Sequence, residues 1–309
     1  MSRARPVARL VGGMLVLAFL VWRFGTGPFA DAWRVTTWQS VVGALLLTVA
    51  ATLANAWRWR VIAQALGAPL TARGSVAAYC RSQFLNATLP GGFLGDAHRG
   101  LSHGRTVGDL GVGLRSTLWD RVAGQVVQVG LLVVALVALP TPLRPYASLA
   151  LGGLASFCAL GWWLSHRRGS TAFVGRDLHA VLRGPVAVPV LLASLFSSVA
   201  HVGVFLLAVE ATSIHASAAT LVAVALVVLV GSALPLNVAG WGPREGVTAA
   251  AFAVVGLGSA AGLTVSVVFG VLSTVATLPG AVVLTVDAVR SRSAVAARPD
   301  RALEEAHRG

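Results

Sequence analysis

Long apolar runs separated by short polar segments dominate the pattern of this chain. Most runs approach the length that crosses the hydrocarbon core of a bilayer as a helix, about 20 residues. The pattern therefore predicts an all-α, polytopic helical membrane protein with about eight hydrophobic helices. The runs are Val7 to Trp22, Val41 to Trp57, Val122 to Leu139, Ala147 to Leu164, Val186 to Val209, Ala216 to Pro235, Gly246 to Leu257 and Ala260 to Val286.

The order of the runs predicts one integral membrane domain over residues 1–309. We expect a basic cytoplasmic N-terminus at 1–9, a helical bundle at 10–288 and a charged cytoplasmic tail at 289–309. Arginines precede the first run, as in a signal peptide, but no small-residue cleavage site follows Trp22. We therefore expect a retained first helix.

Two polar segments interrupt the apolar pattern. They read "LNATLPGGFLGDAHRG" at 85–100 and "LPLNVAGWGPREG" at 234–246, each with Leu-Pro, then glycines, then an acid near an arginine. Proline disfavours helix at the residue before it, and glycine permits a positive φ. If 76–105 and 217–257 enter from opposite faces, they form the inverted repeat of transporters with paired broken helices. The pattern leaves open six crossings plus two re-entrant hairpins, or eight helices.

Composition strengthens the membrane interpretation, and the positions of the charges indicate which partner to expect. Hydrophobic residues make up 56% of the chain and charged residues only 11%, with a mean hydropathy of +0.78. A soluble domain carries roughly a quarter charged residues. The net charge of +13 comes from arginines that lie between apolar runs, without the basic stripe and interleaved aromatics of a nucleic-acid site. We expect anionic lipid headgroups as partners, and no nucleic acid.

The positions of the arginines predict the topology. Cytoplasmic loops of membrane proteins are enriched in arginine and lysine. This rule places both termini in the cytoplasm and predicts an even number of crossings of the cell (inner) membrane. The arginines assigned to the cytoplasmic side are Arg3, Arg5, Arg9, Arg58, Arg60, Arg73, Arg81, Arg167, Arg168, Arg176, Arg183, Arg290, Arg292, Arg298 and Arg301.

The first interruption is a candidate anion site. After its glycines a helix can restart at Asp96, and the free amides of a helix start suit a phosphate, to which Arg99 could add a directed cation. Asp96 could cap that helix, or hold a proton or Arg99 beside a cavity. The alternative is a loop whose glycines and proline only form a turn and whose charges are solvated.

The third run carries a second polar group. Arg121, Gln125 and Gln128 have the spacing i, i+4 and i+7, so they share one helical face. An arginine at the centre of a lipid-facing helix costs about 2.5–3.5 kcal/mol on the translocon scale, which favours an inward face. Asp120 could pair with a different helix. The alternative is that both charges lie at the interface and Arg121 reaches the headgroups.

The remaining polar positions have two readings each. Two stripes, Thr48, Thr52 and Asn55 in the second run and Ser194, Ser198 and His201 in the fifth, are typical of packing between membrane helices. His201 could instead respond to pH within the bilayer. In the second interruption, Glu245 could complement the dipole of a new helix or act as a proton or cation site.

Several chemistries find little support in the sequence. His98 and His103 do not share a helical face with Asp96, so we expect no metal site. No Ser-His-Asp or Gly-x-Ser-x-Gly pattern occurs, and Cys80 and Cys158 lie in apolar stretches. We therefore expect neither a cofactor nor an enzymatic activity.

Three stretches resemble the transmembrane domain of lysylphosphatidylglycerol synthases and its stand-alone, flippase-like bacterial relatives. The first is "NAWRWRVIAQALGAPL" leading through "YCRSQFLNATLPGGFLGDAHRG", the second is "WDRVAGQ", and the third is "LPLNVAGWGPREG". The resemblance covers roughly residues 10 to 288. Trp241 and Pro243 depart from the family pattern, as does Asn237, which stands where a serine is commoner.

Carried over by position and joined with the polar faces above, the resemblance implies a headgroup and translocation cavity. In this cavity Arg99, Arg121 and Arg244 would bind a headgroup phosphate, and Asp96 and Glu245 would balance them or take up protons. The complete set is Asn86, Pro90, Gly91, Gly92, Gly95, Asp96, Arg99, Asp120, Arg121, Gln125, Asn237, Gly240, Gly242, Arg244 and Glu245.

The function implied by the resemblance is movement of a lipid with a phosphate-bearing or charged headgroup between leaflets. Synthases also carry a soluble aminoacyl-transfer domain, and the short tail after the last run leads us to expect none here. Two alternatives remain open. The chain could be a membrane enzyme acting on polyprenyl-phosphate or phospholipid headgroups, or an accessory subunit of cell-envelope enzymes.

Overall fold

A computed structural model describes residues 27–89, 92–138, 142–146, 148, 152–153, 155, 171–232, 242–287 and 289. The first apolar run, most of the fourth and the tail beyond 289 lie outside the described residues. Within the described part all regular structure is helical and no strand occurs, which confirms the all-α prediction.

Ten α-helices and one 3-10 turn are described. The helices are α1 Gly27–Val35, α2 Trp38–Ala65, α3 Ala72–Thr88, α4 Leu94–Val107, α5 Leu110–Ala138, α6 Thr171–Leu182, α7 Gly184–Ala211, α8 Ala218–Ser232, α9 Pro243–Val254 and α10 Ser259–Ala276, and the 3-10 turn is Arg144–Tyr146. After a turn at 277–278, helix continues over 279–287, so Ser259–Asp287 forms one long apolar stretch.

Four stretches of the described chain are long and apolar enough to cross a membrane: α2, α5, α7 and Ser259–Asp287. All four extend past the predicted runs. The differences are largest in α2, which continues to Ala65, and in α5, which begins at Leu110. The prediction that Arg58 belongs to a cytoplasmic loop was wrong. Arg58 lies inside α2 and is buried, because an opposite charge on another helix compensates it.

The described helices repeat one order of lengths. A long helix, two short helices and a long stretch follow each other as α2, α3, α4 and α5, with 28, 17, 14 and 29 residues. The same order recurs as α7, α8, α9 and Ser259–Asp287, with 28, 15, 12 and 29 residues. We call these sets the first half and the second half.

The first helices of the two halves pack against each other in antiparallel directions. Near one end a Cβ on Gly43 would contact Leu207, and toward the other end Arg58 bonds to Ser194. Between them Asn55 donates to Ser197. As the residue numbers increase along α2, those of the contacting residues in α7 decrease, so the two helices are antiparallel. Because each is the first helix of its half, the two halves have opposite orientations, as an inverted repeat requires.

Each half also contains the same close contact between a short and a long helix. Gly113 is the fourth residue of α5, and a Cβ there would lie 2.4 Å from the carbonyl oxygen of Gly100 in α4. Gly262 is the fourth residue of α10, and a Cβ there would lie 2.8 Å from the carbonyl oxygen of Thr248 in α9. Only glycine allows the helix backbones to approach this closely.

Apolar side chains cover both the inside and the outside of the bundle. A buried cluster with Phe205 and Phe269 in edge-to-face contact joins α7, α8 and α10. Leu46 and Val199, on the contacting helices α2 and α7, are about two-thirds exposed. Exposed leucine and valine suit a lipid environment, so the polar residues of these helices face inward.

The glycine contact makes a stability prediction. Gly113→Ala forces α4 and α5 apart, and overpacking of this kind costs about 1–3 kcal/mol. Gly130→Ala in the same helix is the matched control, because a Cβ there meets nothing within 4 Å. We expect a lower SDS-denaturation midpoint in mixed micelles for Gly113→Ala only. Equal midpoints for the two variants would show that α4 and α5 do not pack as described.

Candidate functional site

A polar cavity of about 390 Å³ lies between the two halves. Side chains from the long helices α2, α5, α7 and α10 and from the short helices α3, α4, α8 and α9 line it. Its polar lining residues are Thr48, Asn55, Arg58, Tyr79, Gln83, Asn86, Asp96, Arg121, Gln125, Gln128, Ser194, Ser197, Ser198, His201, Ser232, Arg244, Ser273 and Thr277.

Asp120 of α5 is completely buried and lies at the centre of an ion network beside this cavity. Its Oδ1 accepts a hydrogen bond from Arg58 Nε at 2.8 Å. Its Oδ2 accepts from Arg99 Nη2 at 2.9 Å and from the Tyr79 hydroxyl at 3.1 Å. One carboxylate therefore connects α5 to α2, α4 and α3. Charges persist in an apolar interior only with such compensation.

The network fixes a cation at the cavity. Arg58 Nη1 donates to the Ser194 hydroxyl at 3.0 Å, and its guanidinium packs against Gly124, where a Cβ would lie 2.9 Å from Nη1. Arg58 is 5% exposed and lines the cavity. Asp120 thus holds the Arg58 guanidinium in the cavity wall from behind.

Arg99 lies behind the wall and does not line the cavity. Its side chain has no exposed surface, and its Cζ is 4.4 Å from the ring centroid of Trp59 and 4.2 Å from that of Tyr79. Its Nη2 also donates to Asp96 at 3.1 Å. The structure therefore corrects the predicted role of Arg99. Its buried side chain does not face the cavity in this structure, and it instead connects the carboxylates of Asp96 and Asp120.

Asp96 is the third residue of α4 and lines the cavity. Its Oδ1 accepts from the Ser82 hydroxyl at 2.7 Å. Its Oδ2 accepts from Asn86 Nδ2 at 2.9 Å and from Arg121 Nε at 2.5 Å. Arg121 also donates to the carbonyl oxygen of Gly92, and its side chain stays 40% exposed. Of the roles predicted for Asp96, holding Arg99 beside the cavity is present, but Asp96 lies in the first turn of α4 and does not cap it, because the N-cap position is Phe93.

The open phosphate site expected at the start of α4 is not formed at Gly95. Asn86 Oδ1 accepts the Gly95 amide at 2.8 Å, and a Cβ at Gly95 would lie 2.1 Å from the carbonyl oxygen of Ser82. The carboxylate of Asp96 occupies the positive end of the same helix. Asn86 therefore satisfies the Gly95 amide, and Asp96 complements the dipole of α4, where the sequence predicts a phosphate.

Glu245 is the third residue of α9, the same place that Asp96 has in α4. It is completely buried, and its Oε2 accepts the amide of Gly242 at 2.6 Å. Its Oε1 accepts from Arg244 Nε at 2.9 Å, and Arg244 lines the cavity. Glu245 thus complements the helix start and at the same time balances a cavity cation.

Each half places a guanidinium beside the acid in the first turn of its second short helix, Asp96 or Glu245, but the two guanidinium groups come from different helices. In the first half Arg121 comes from the long helix. In the second half Arg244 comes from the short helix, and at Gly270, the position of α10 that corresponds to Arg121, a Cβ would lie 2.3 Å from Arg244 Nη2. Glycine at 270 therefore leaves the space that the guanidinium of Arg244 fills.

The structure separates the predicted site residues into three groups. Asn86, Gly92, Asp96, Arg121, Gln125 and Arg244 line the cavity. The residues packed behind the lining are Gly95, Arg99, Asp120, Gly242 and Glu245. Those that lie outside the described residues are Pro90, Gly91, Asn237 and Gly240.

Both mild polar stripes reach the cavity. Thr48 and Asn55 of α2 and Ser194, Ser198 and His201 of α7 line it. The remaining member, Thr52, donates to Gln83 of α3. The packing interpretation holds for part of the stripe, since Asn55 and Ser194 bond across helices, but the same residues also form the wall of the cavity.

Sequence reasoning missed several polar lining residues: Arg58, Tyr79, Gln83, Ser197, Ser232, Ser273 and Thr277. Arg58 shares one face with Thr48 and Asn55, which a helix extended past Trp57 would have indicated. Tyr79 and Gln83 are four apart in α3 and face the cavity together. No group of three potential metal ligands occurs among the described residues.

A comparison with protein families finds one match. The family model described as lysylphosphatidylglycerol synthase TM region matches residues 7–280. No curated protein and no solved structure matches the chain. The matched range includes the first half, the second half as far as Gly280, and every described residue that lines the cavity.

The central carboxylate makes a second stability prediction. Asp120→Asn leaves Arg58 and Arg99 buried without their shared counter-charge, and breaking a buried pair costs about 3–5 kcal/mol. Asp287→Asn, which removes the exposed partner of Arg81, is the control and costs about 1 kcal/mol or less. SDS-denaturation midpoints measure both. A loss in Asp120→Asn no larger than in the control would contradict the network.

Proposed function

Because this chain belongs to the lysylphosphatidylglycerol synthase TM-region family, we propose that it is a flippase-like transporter that moves lipids between leaflets. Its substrate carries a phosphate or another charged headgroup. The headgroup passes through the polar cavity while the acyl tails stay in the bilayer. The protein acts without a cofactor, and its primary partners are membrane lipids.

The observation that supports this proposal is a polar cavity inside an otherwise apolar bundle. Charged side chains within membrane segments are expensive, and those facing a wet cavity mark substrate pathways. Arg58, Arg121 and Arg244 all reach this cavity, and amide and hydroxyl groups surround them. A purely structural bundle has no need of three arginines in one cavity.

The short helices fit two re-entrant hairpins. At a rise of 1.5 Å per residue, α3, α4, α8 and α9 are about 25, 21, 22 and 18 Å long, against about 30 Å of hydrocarbon. Interrupted helices at membrane depth are tolerated where they line a cavity. We therefore propose that each half inserts one hairpin, from opposite faces of the membrane.

The inverted halves also supply a route for alternating access. Transporters of this kind move one repeat against the other around a central site. Here α2 of the first half contacts α7 of the second half at the cavity. A small rotation of one half against the other would therefore change the side of the membrane to which the cavity opens. With six crossings and the arginine bias, both termini lie on the cytoplasmic side of the inner membrane.

Two other functions would use the same cavity. A membrane enzyme would convert a polyprenyl-phosphate or phospholipid headgroup into a new product, and an accessory subunit would co-purify with a cell-envelope enzyme. We propose neither, because every carboxylate of the site is engaged by an arginine in place of an open catalytic pair. Headgroup analysis after incubation separates turnover from transport.

Leaflet exchange in proteoliposomes tests the proposal. Vesicles contain acyl-labelled lipids with several headgroups, and a membrane-impermeant reductant bleaches only the outer label. We expect the purified protein to expose the inner label with time. Arg121→Gln should slow this exchange about tenfold, because a hydrogen bond to a charged group contributes about 1.5–3 kcal/mol.

Arg176→Gln is the matched control, because Arg176 is exposed on α6 away from the cavity and the substitution removes the same charge. It should exchange lipid at the rate of the unmodified protein. No exchange of any headgroup by folded protein would exclude lipid transport. Equal slowing in both variants would mean that surface charge, and not the cavity, governs the rate.

A further inference from the structure

We propose that the cavity selects a net-anionic headgroup that carries both a phosphate and hydroxyl groups, as in a phosphorylated polyol or sugar, and that it excludes cationic headgroups. This inference rests on the proposed transport function and specifies its substrate class. Three observations support it independently: the charge balance of the site, an amide oxygen without a hydrogen-bond partner, and the arginines that lie over the aromatic rings of the cavity.

Among the described residues, the ionised side chains of the site leave an excess of positive charge. Arg58, Arg99, Arg121 and Arg244 contribute four guanidinium groups, and Asp96, Asp120 and Glu245 contribute three carboxylates. The charges lie where solvent screening is weak, so the excess acts strongly on a ligand. An anion entering the cavity compensates it, whereas a cation adds to it.

The charged side chains that line the cavity also carry a net positive charge. Among the described residues three arginines line the cavity but only one acid, Asp96. Asp96 already receives Arg121, Ser82 and Asn86, so its oxygens are occupied on several sides. A lysyl or other ammonium group would find no open carboxylate here. Arg121, with 40% of its side chain exposed, offers a phosphate a guanidinium instead.

An acceptor in the cavity wall indicates the second part of the headgroup. Asn55 is 7% exposed, its Nδ2 donates to Ser197 at 2.8 Å, and its Oδ1 is buried without a hydrogen-bond partner. A buried amide oxygen left unpaired costs free energy, and a hydroxyl of a ligand would satisfy it. Ser198 and Gln125 line the same cavity and provide further groups for a polyol.

The aromatic rings of the cavity argue against choline and other ammonium headgroups. Tyr79 and Phe269 line it, and such ligands are recognised by open aromatic faces. Both rings are already covered by arginine, since Arg99 Cζ lies 4.2 Å from the Tyr79 centroid and Arg244 Cζ lies 5.6 Å from that of Phe269. A guanidinium therefore already lies over each ring, where a quaternary ammonium would otherwise bind.

The test compares headgroups on one acyl-labelled tail in proteoliposomes. Phosphatidylglycerol supplies a phosphate with two hydroxyls, phosphatidic acid a phosphate alone, phosphatidylcholine an ammonium group, and lysyl-phosphatidylglycerol a net positive charge. We expect phosphatidylglycerol to exchange at least tenfold faster than the choline and lysyl lipids. We expect Asn55→Leu to slow phosphatidylglycerol toward the rate of phosphatidic acid, and Arg176→Gln to change neither.

The outcomes distinguish this inference from the proposed function. Exchange of lysyl-phosphatidylglycerol at the rate of phosphatidylglycerol would overturn the charge selection while transport stands. No difference between phosphatidylglycerol and phosphatidic acid, with Asn55→Leu unchanged, would overturn the hydroxyl site and leave water as the partner of Asn55. Absence of all exchange would instead reject the transport function.

A binding measurement separates a lipid headgroup from free phosphate. Short-chain phosphatidylglycerol, glycerol 3-phosphate and inorganic phosphate are added to the detergent-solubilised protein, and the shift in melting temperature is recorded. We expect the largest shift with the short-chain lipid, and its loss in Arg121→Gln. An equal shift with inorganic phosphate alone would show that the cavity binds the free anion, which contradicts recognition of a lipid headgroup.

Discussion

The buried carboxylate of Asp120 is the interaction on which the rest of the site depends. It accepts hydrogen bonds from Arg58, Arg99 and Tyr79, and so connects the four helices of the first half. Taking these charges out of water costs several kcal/mol per ion, and only mutual pairing offsets that cost. The result is a fixed Arg58 guanidinium in the cavity wall and a fixed Asp96, held through Arg99. An ion network buried in an apolar bundle thus positions charges for a ligand.

The second half reaches a similar site with much less charge. Counted along each helix, Phe269 of α10 stands where α5 has Asp120, and Thr248 of α9 stands where α4 has Arg99. Phe269 packs on Phe205, and Glu245 is balanced by its neighbour Arg244. The two halves therefore differ in how much charge is buried between their helices.

Much of this arrangement could be predicted from the sequence, and the part that could not has a physical cause. The apolar runs predicted the helical class, and the Arg121 face predicted a polar interior. The placement of Arg58 failed, because hydropathy assigns an arginine at the end of an apolar run to a loop. Its burial depends on Asp120, which is distant in sequence. The sequence also could not show that Arg99 is buried behind the cavity lining, because the aromatic rings and the Asp120 carboxylate that surround it come from other helices.

Accessibility of single cysteines to a membrane-impermeant thiol reagent tests the central claim, a hydrated cavity between the halves, most directly. In a background without Cys80 and Cys158, Ser198→Cys lies in the cavity wall and Val199→Cys, one residue further along α7, lies on the outer face. Thr71→Cys, exposed before α3, is the positive control. The account predicts that Ser198→Cys and Thr71→Cys react in membranes open on both sides and that Val199→Cys does not. Reaction of Thr71→Cys alone, with Ser198→Cys as inert as Val199→Cys, would show that no hydrated cavity exists.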